Sequence, residues 1–273
     1  MTQPGELNID TLLTLMGEAG KHLFESDVCE GAAGNISVCV RRELEISKRF
    51  PLQKQIVLPK PVPELAGATF LASGSGTRLR DMFNEPTANI GCLVVDEGGK
   101  TGQLFTAHDR QFTRLTSEFN SHLAVHYDRV LNEHVRFNAV VHVQPPYLTY
   151  LSHIEVYQDE LYLNRHLLRW EPETIIEFAQ GIGILKYQTP GSAALAEVTA
   201  KSLHDHVLTI WARHGVICHS DKSISKACDK IEYAEAAARF EYLNLTAGEK
   251  SSGLSAEEIR EICRGLGIQQ NIF

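Results

Sequence analysis

Several things are scarce or missing in this sequence. None of its six cysteines stands in a Cys-x-x-C pair, which argues against a cysteine zinc site. A chain of 273 residues with 43% hydrophobic side chains can bury a core without crosslinks. Disulfides are therefore not required, and reduced thiols in the cytoplasm are the expected state. There is no excess of positive charge. The net charge is −8 and the basic residues are scattered, densest at Arg41-Arg42 and around Arg78 and Arg80, which argues against nucleic acid as a partner. No apolar run approaches the roughly 20 residues of a membrane span. Met1 to Asp10 is polar and lacks the basic-then-apolar order of a signal peptide. No Pro/Gly/Ser-rich linker divides the chain and no internal repeat is evident, so one domain over residues 1–273 is expected.

What is present reads as a mixture of helices and strands. Leu12, Leu15, Met16, Ala19 and Leu23 recur at helical spacing behind Asp10, which predicts a helix over about 11–25 capped by Asp10. Ile36, Val38 and Val40 alternate with Ser37 and Cys39 and predict a strand. Residues 47–67 contain Pro51, Pro59, Pro61 and Pro63 and read as an irregular excursion. Strands are expected over 69–72, 90–96, 103–106, 138–143, 182–187, 207–211 and 216–218, with Glu97-Gly98-Gly99-Lys100 as a hairpin turn. Helices are expected over about 117–132, 147–153, 192–206 and 223–245, with a helical turn at 78–83. Ser255-Ala256-Glu257-Glu258 reads as a capping box opening a last helix. The order does not alternate strand and helix regularly, which predicts an α/β fold whose mixed, largely antiparallel sheet carries helices on both faces.

Five separated fragments bear chemistry. In Ser73-Gly74-Ser75-Gly76 the glycines can expose backbone N–H groups and the serines add hydroxyls, a nest suited to an anion. Gly34-Asn35 and the helix start at Thr116-Ser117 can add donors. His142 and Gln144 share one face of a strand end, and His214 precedes Gly215; imidazole is a common ligand for zinc and similar ions. Glu118, in the first turn of its helix, suits the positive end of the dipole and is the candidate base beside a metal and a phosphate. Glu118, His122 and His126 recur every four residues along one helix face, which reads as a ligand face or as a polar seam at a subunit boundary. Each fragment alone is an ordinary loop, cap or structural histidine. Together they equip a site for a phosphorylated sugar, a divalent metal and a carboxylate base.

The ordered set Gly34-Asn35-Ile36-Ser37, Ser73-Gly74-Ser75-Gly76, Thr116-Ser117-Glu118-Phe119, Val140-Val141-His142, Gly181-Ile182-Gly183-Ile184-Leu185 and His214-Gly215-Val216 resembles the class II aldolase/adducin-head family, most closely its L-rhamnulose-1-phosphate aldolase branch. The resemblance spans about residues 20–265. It implies a three-layer α/β/α fold, and a homotetramer with active sites between subunits. It implies metal-dependent cleavage of a ketose 1-phosphate to dihydroxyacetone phosphate and an aldehyde such as lactaldehyde. By the same resemblance Asn35, Ser75, Gly76, Thr116 and Ser117 match the phosphate cradle, and Glu118 the catalytic acid/base. His142 and His214 match two of three histidines binding a divalent metal, zinc first and another divalent ion as the alternative. Glu173, in Pro172-Glu173-Thr174, matches a glutamate acting in a neighbour's site. The chain departs from the family's His-x-His: it reads His142-Val143-Gln144, with Gln144 at a ligand position. That departure keeps two alternatives open, a silent scaffold of the adducin-head kind and another sugar-phosphate enzyme of this fold, an epimerase or dehydratase.

Overall fold

The computed structural model describes residues 7–273. Among them nine strands form one sheet: β1 (Asn35–Val40), β2 (Leu52–Val57), β3 (Thr69–Ser73), β4 (Ile90–Val95), β5 (Thr101–Thr106), β6 (Phe137–Val143), β7 (Gly183–Leu185), β8 (Leu208–Trp211) and β9 (Gly215–Ser220). Their order across the sheet is β2-β5-β4-β3-β1-β6-β9-β8-β7. Every neighbouring pair is antiparallel except β7 with β8. The helices are α1 (Ile9–Glu25), α2 (Pro86–Asn89), α3 (Phe119–Glu133), α4 (Pro146–Leu151), α5 (Glu160–Leu167), α6 (Pro172–Glu177), α7 (Ala193–Asp205), α8 (Ile224–Thr246) and α9 (Ala256–Leu266).

Alternation along the strands decides the layers. Ile36, Val38 and Val40 of β1, with Ala139, Val141 and Val143 of β6, enter a core shared with α1, α4, α5, α6, α8 and α9. Cys39, Phe70, Ala72 and Leu93 face the other way, onto Phe119, Leu123 and Val130 of α3. Val140 and Ile217 pack with Leu195 and Leu203 of α7. The result is the expected three-layer α/β/α arrangement. Each Leu, Ile or Val that is fully buried contributes about 1.5–3 kcal/mol, so reversing the alternation in one strand would expose a whole apolar row.

Some expectations change. Residues 47–67 are not irregular throughout: β2 lies within them as an edge strand on β5. Its polar Gln53-Lys54-Gln55 hid the period, and Pro51 and Pro59 flank the strand rather than interrupt its single ladder. The cap of α1 is Asn8, whose Oδ1 accepts from Thr11 N–H at 2.9 Å, and not Asp10. Helices α2, α5 and α6 were not apparent in the pattern; α2 and α6 are too short to show a period, and each begins with a proline. The strand expected over 182–187 is confined to β7. His122 and His126 are fully buried inside the chain, so they form no seam on a subunit boundary. All six cysteines are free. No helix among the described residues is long and apolar enough to cross a membrane. Residues 1–6 of the N-terminal stretch lie outside the described residues.

The register then assembles the site. Asn35 at the start of β1 stands opposite His142 near the end of β6. Ser37 stands opposite Ala72, which brings the turn after β3 to the same margin. Val143 pairs with Val216, which draws the β8–β9 turn alongside. Gly74 bridges to Leu115, and Thr116 N–H donates to Ser73 O at 2.9 Å, so the segment entering α3 is bound there too.

Candidate functional site

Asn35, Ser75, Gly76, Thr116, Ser117, Glu118, His142, Gln144 and His214 all line one cleft of about 210 Å³ at this margin. Glu173 does not line it; this residue is exposed on α6.

Two histidines and a carboxylate meet at one end. Glu118 Oε2 lies 3.3 Å from His142 Nε2, and Glu118 Oε1 lies 3.5 Å from His214 Nε2. The ligating atoms of the three residues all fall within 4.8 Å of one another. His142 Nδ1 donates to Val216 O at 2.8 Å, which fixes the tautomer and turns the Nε2 lone pair to the cleft. Gln144 Nε2 donates to that lone pair at 2.8 Å. Burial, helped by the neighbouring His142, pushes His214 down to about 4, against the opposing pull of Glu118, and so favours the neutral, ligating form of the ring. Trp211, which the sequence reading did not single out, fixes both rings. Its ring centroid lies 4.5 Å from that of His142 and 5.2 Å from that of His214, and its indole N–H is anchored on Thr199 Oγ1. Its position three residues before His214 is the one signal in sequence.

The donor set fits a divalent cation. Glu118 Oε1, His214 Nδ1 and Gln144 Oε1 are buried without a hydrogen-bond partner. Unpaired polar atoms are costly in an interior unless a ligand satisfies them. Two neutral imidazoles, a carboxylate and, once the amide is turned over, an amide oxygen are a set that zinc accepts and that harder divalent ions accept more readily than an all-histidine one.

The other end suits an anion. Gly76 has φ +82°, a conformation that favours glycine. A Cβ on Gly74 would lie 2.2 Å from the Phe112 ring, so only glycine fits there. The expected run of free N–H groups is partly engaged: Ser75 N–H donates to Arg114 O at 2.9 Å. Among the described residues the N–H groups of Gly76 and Ser117 have no partner, and with the hydroxyls of Ser75 and Ser117 they are donors available to a ligand.

Asn35 has a part that the sequence does not show. Its Nδ2 donates one hydrogen to Glu118 Oε2 at 2.9 Å and its Oδ1 accepts from His122 Nε2, which leaves the second hydrogen of its NH₂ group for another acceptor. Glu118 stands at the N-cap of α3, yet its carboxylate caps nothing in the helix and turns into the cleft.

A family profile described as Class II Aldolase and Adducin N-terminal domain matches residues 14–242. A rhamnulose-1-phosphate aldolase of Bacteroides thetaiotaomicron is 28% identical over 250 residues, covering 90% of this chain and 91% of that protein. One from Enterobacter sp. (strain 638) is 26% identical over 215 residues, 79% and 77% of the two chains. Among solved structures, a sugar-phosphate aldolase from Thermotoga maritima superposes with TM-score 0.75 at 24% identity, covering 90% of this chain and 99% of that one. An L-fuculose 1-phosphate aldolase gives TM-score 0.59 at 20% identity, covering 96% and 98%. These two likenesses concern the fold.

Proposed function

The chain belongs to the class II aldolase and adducin N-terminal domain family, and from that premise we propose that it is a metal-dependent aldolase cleaving a ketose 1-phosphate of the rhamnulose 1-phosphate kind to dihydroxyacetone phosphate and an aldehyde such as lactaldehyde. The observation that carries this reading is the convergence of Glu118, His142 and His214 within 4.8 Å, beside a Gly-Ser turn with unengaged donors. His142 Nε2, His214, Glu118 and Gln144 Oε1 would hold a divalent ion, zinc or a harder one. Such an ion supplies Lewis acidity to the oxygens of the ketose.

The remaining roles fall to side chains and backbone. Ser75, Gly76 and Ser117 bind the phosphate through hydroxyl and amide donors, with Thr116 shaping the helix start by accepting Glu118 N–H at 3.3 Å. Asn35, expected in the cradle, also holds Glu118. When the carbon–carbon bond breaks, its electron pair stays with the phosphate-bearing fragment, and Glu118, after taking up a proton from solvent, delivers it to that carbon; in the reverse direction it removes the same proton. The hydroxyl proton of the departing aldehyde is taken by Glu173, which is exposed on its own chain and would act in a neighbouring copy's cleft within a homotetramer.

One observation favours a second reading. Gln144 N–H occupies the His142 lone pair that a metal would use, as suits a metal-free binding protein of the adducin-head kind. Metal analysis with a turnover assay separates the two. About one divalent ion per chain is expected, with cleavage of rhamnulose 1-phosphate that a chelator abolishes. Glu118→Gln is expected to abolish turnover. A protein that takes up neither zinc, manganese nor cobalt would exclude the aldolase, and metal-loaded protein inert toward ketose 1-phosphates would point to the epimerase or dehydratase alternatives.

A further inference from the structure

Under the cleft, the buried polar groups that the proposed reaction leaves unused lie in one line. His122 and His126 follow Glu118 by one and two turns of α3, both fully buried. Ser37 of β1 sits between their rings, its Oγ 2.6 Å from His122 Nδ1 and 2.7 Å from His126 Nε2. His122 Nε2 reaches Asn35 Oδ1, and Asn35 Nδ2 reaches Glu118 Oε2. Phe70 meets the His126 ring edge-on at 5.4 Å and fixes its orientation.

The direction of each bond follows from the carboxylate at the head. Glu118 only accepts, so Asn35 turns its NH₂ toward it and its carbonyl toward His122. A carbonyl only accepts, so His122 Nε2 carries the hydrogen. Burial without a counter-charge keeps the ring neutral, which leaves Nδ1 bare. Ser37 therefore donates to His122 Nδ1 and accepts from His126 Nε2–H. Reversing any one of these bonds sets two donors or two acceptors face to face.

We propose that Ser37, His122 and His126 are positioning residues: a one-way run of buried hydrogen bonds that, through Asn35, holds the Glu118 carboxylate between His142 and His214. This rests on the reading of Glu118 as the acid/base. Aligned hydrogen bonds in a low-dielectric interior polarise one another in the same sense, so an imidazole two turns away bears on a carboxylate it does not touch.

Histidine labelled with ¹⁵N tests the run in the parent protein, without reference to activity. His122 and His126 are expected to be neutral Nε2–H tautomers with and without added zinc; an Nδ1–H tautomer at either position overturns the proposal. Variants test its effect. His126→Leu is expected to lower kcat on rhamnulose 1-phosphate by about 10- to 100-fold at unchanged KM and metal content, and Ser37→Ala to act in the same sense. His126→Gln, which returns an N–H to Ser37, is expected to recover most of the loss. Parental kcat in His126→Leu, or an equal loss in the Leu and Gln variants, would assign the ring to packing and overturn the proposal. Full turnover in Glu118→Gln would instead remove the acid/base reading. Its loss beside an undisturbed His126→Leu removes the relay alone. If His126→Leu does not fold, Ser37→Ala and the tautomers decide.

Discussion

Gln144 sets an uncharged amide where His-x-His would set a second imidazole. Its N–H lies on His142 Nε2 and its Oε1 has no partner, so binding a metal requires this amide to turn over and exchange one bond for another. An imidazole needs no such exchange. Gln144→His is expected to raise zinc affinity by about tenfold or more, read by calorimetric titration of metal-free protein; an unchanged affinity would mean that position 144 does not face the ion. Glu118, His142 and His214 were legible in the sequence only as members of an ordered set, since each alone reads as a helix-start residue or a structural histidine. Trp211 and Ser37 were not legible. A tryptophan and a serine at strand positions have bland explanations, and only their neighbours across the fold give them a part in the site.

Between elements, the joint of α4 and α8 rests on a carboxylate. Glu235 of α8 accepts the N–H groups of Tyr147 and Leu148 at 2.8 and 2.9 Å, at the start of α4. Burial pushes its pKa from 4.5 up to about 7, in spite of those two bonds. In that interval the folded chain keeps a proton that the unfolded chain has lost. The contribution to stability is therefore fully present below pH 4.5 and is lost as pH rises to about 7, by at most about 1.4 kcal/mol per pH unit. Glu235→Gln keeps an acceptor for the helix start and cannot ionise. It is expected to remove this slope from urea midpoints measured between pH 5 and 8, and a slope identical to the parent's would place the titration elsewhere. The long helices α1, α3, α7 and α8 were legible in sequence because their apolar spacing repeats over several turns. The edge strand β2 was not, since only one side of it is paired and most of its side chains are exposed.

For the whole molecule the question is whether one chain completes its own site. Glu173 lies outside the cleft of its own chain, so on the proposed reading Glu118 and Glu173 act together only across two copies. Glu118→Gln and Glu173→Gln are each expected to be inactive alone. Mixed by unfolding and co-refolding, they should regain activity in about a quarter of the sites of a symmetric assembly. No recovery in an assembly shown by light scattering to contain both variants would confine the site to one chain. Sequence by itself determined the layering and the inventory, because a period of two or of 3.6 and the chemistry of a side chain are local properties. Tertiary structure decided which of those residues meet. Antiparallel register across β3, β1, β6 and β9 is a relation between segments distant in sequence, such as Asn35 and His142, and with the packing of α3 on the sheet it turned the Asn35 amide inward to Glu118 and buried two histidines of α3 beneath the cleft.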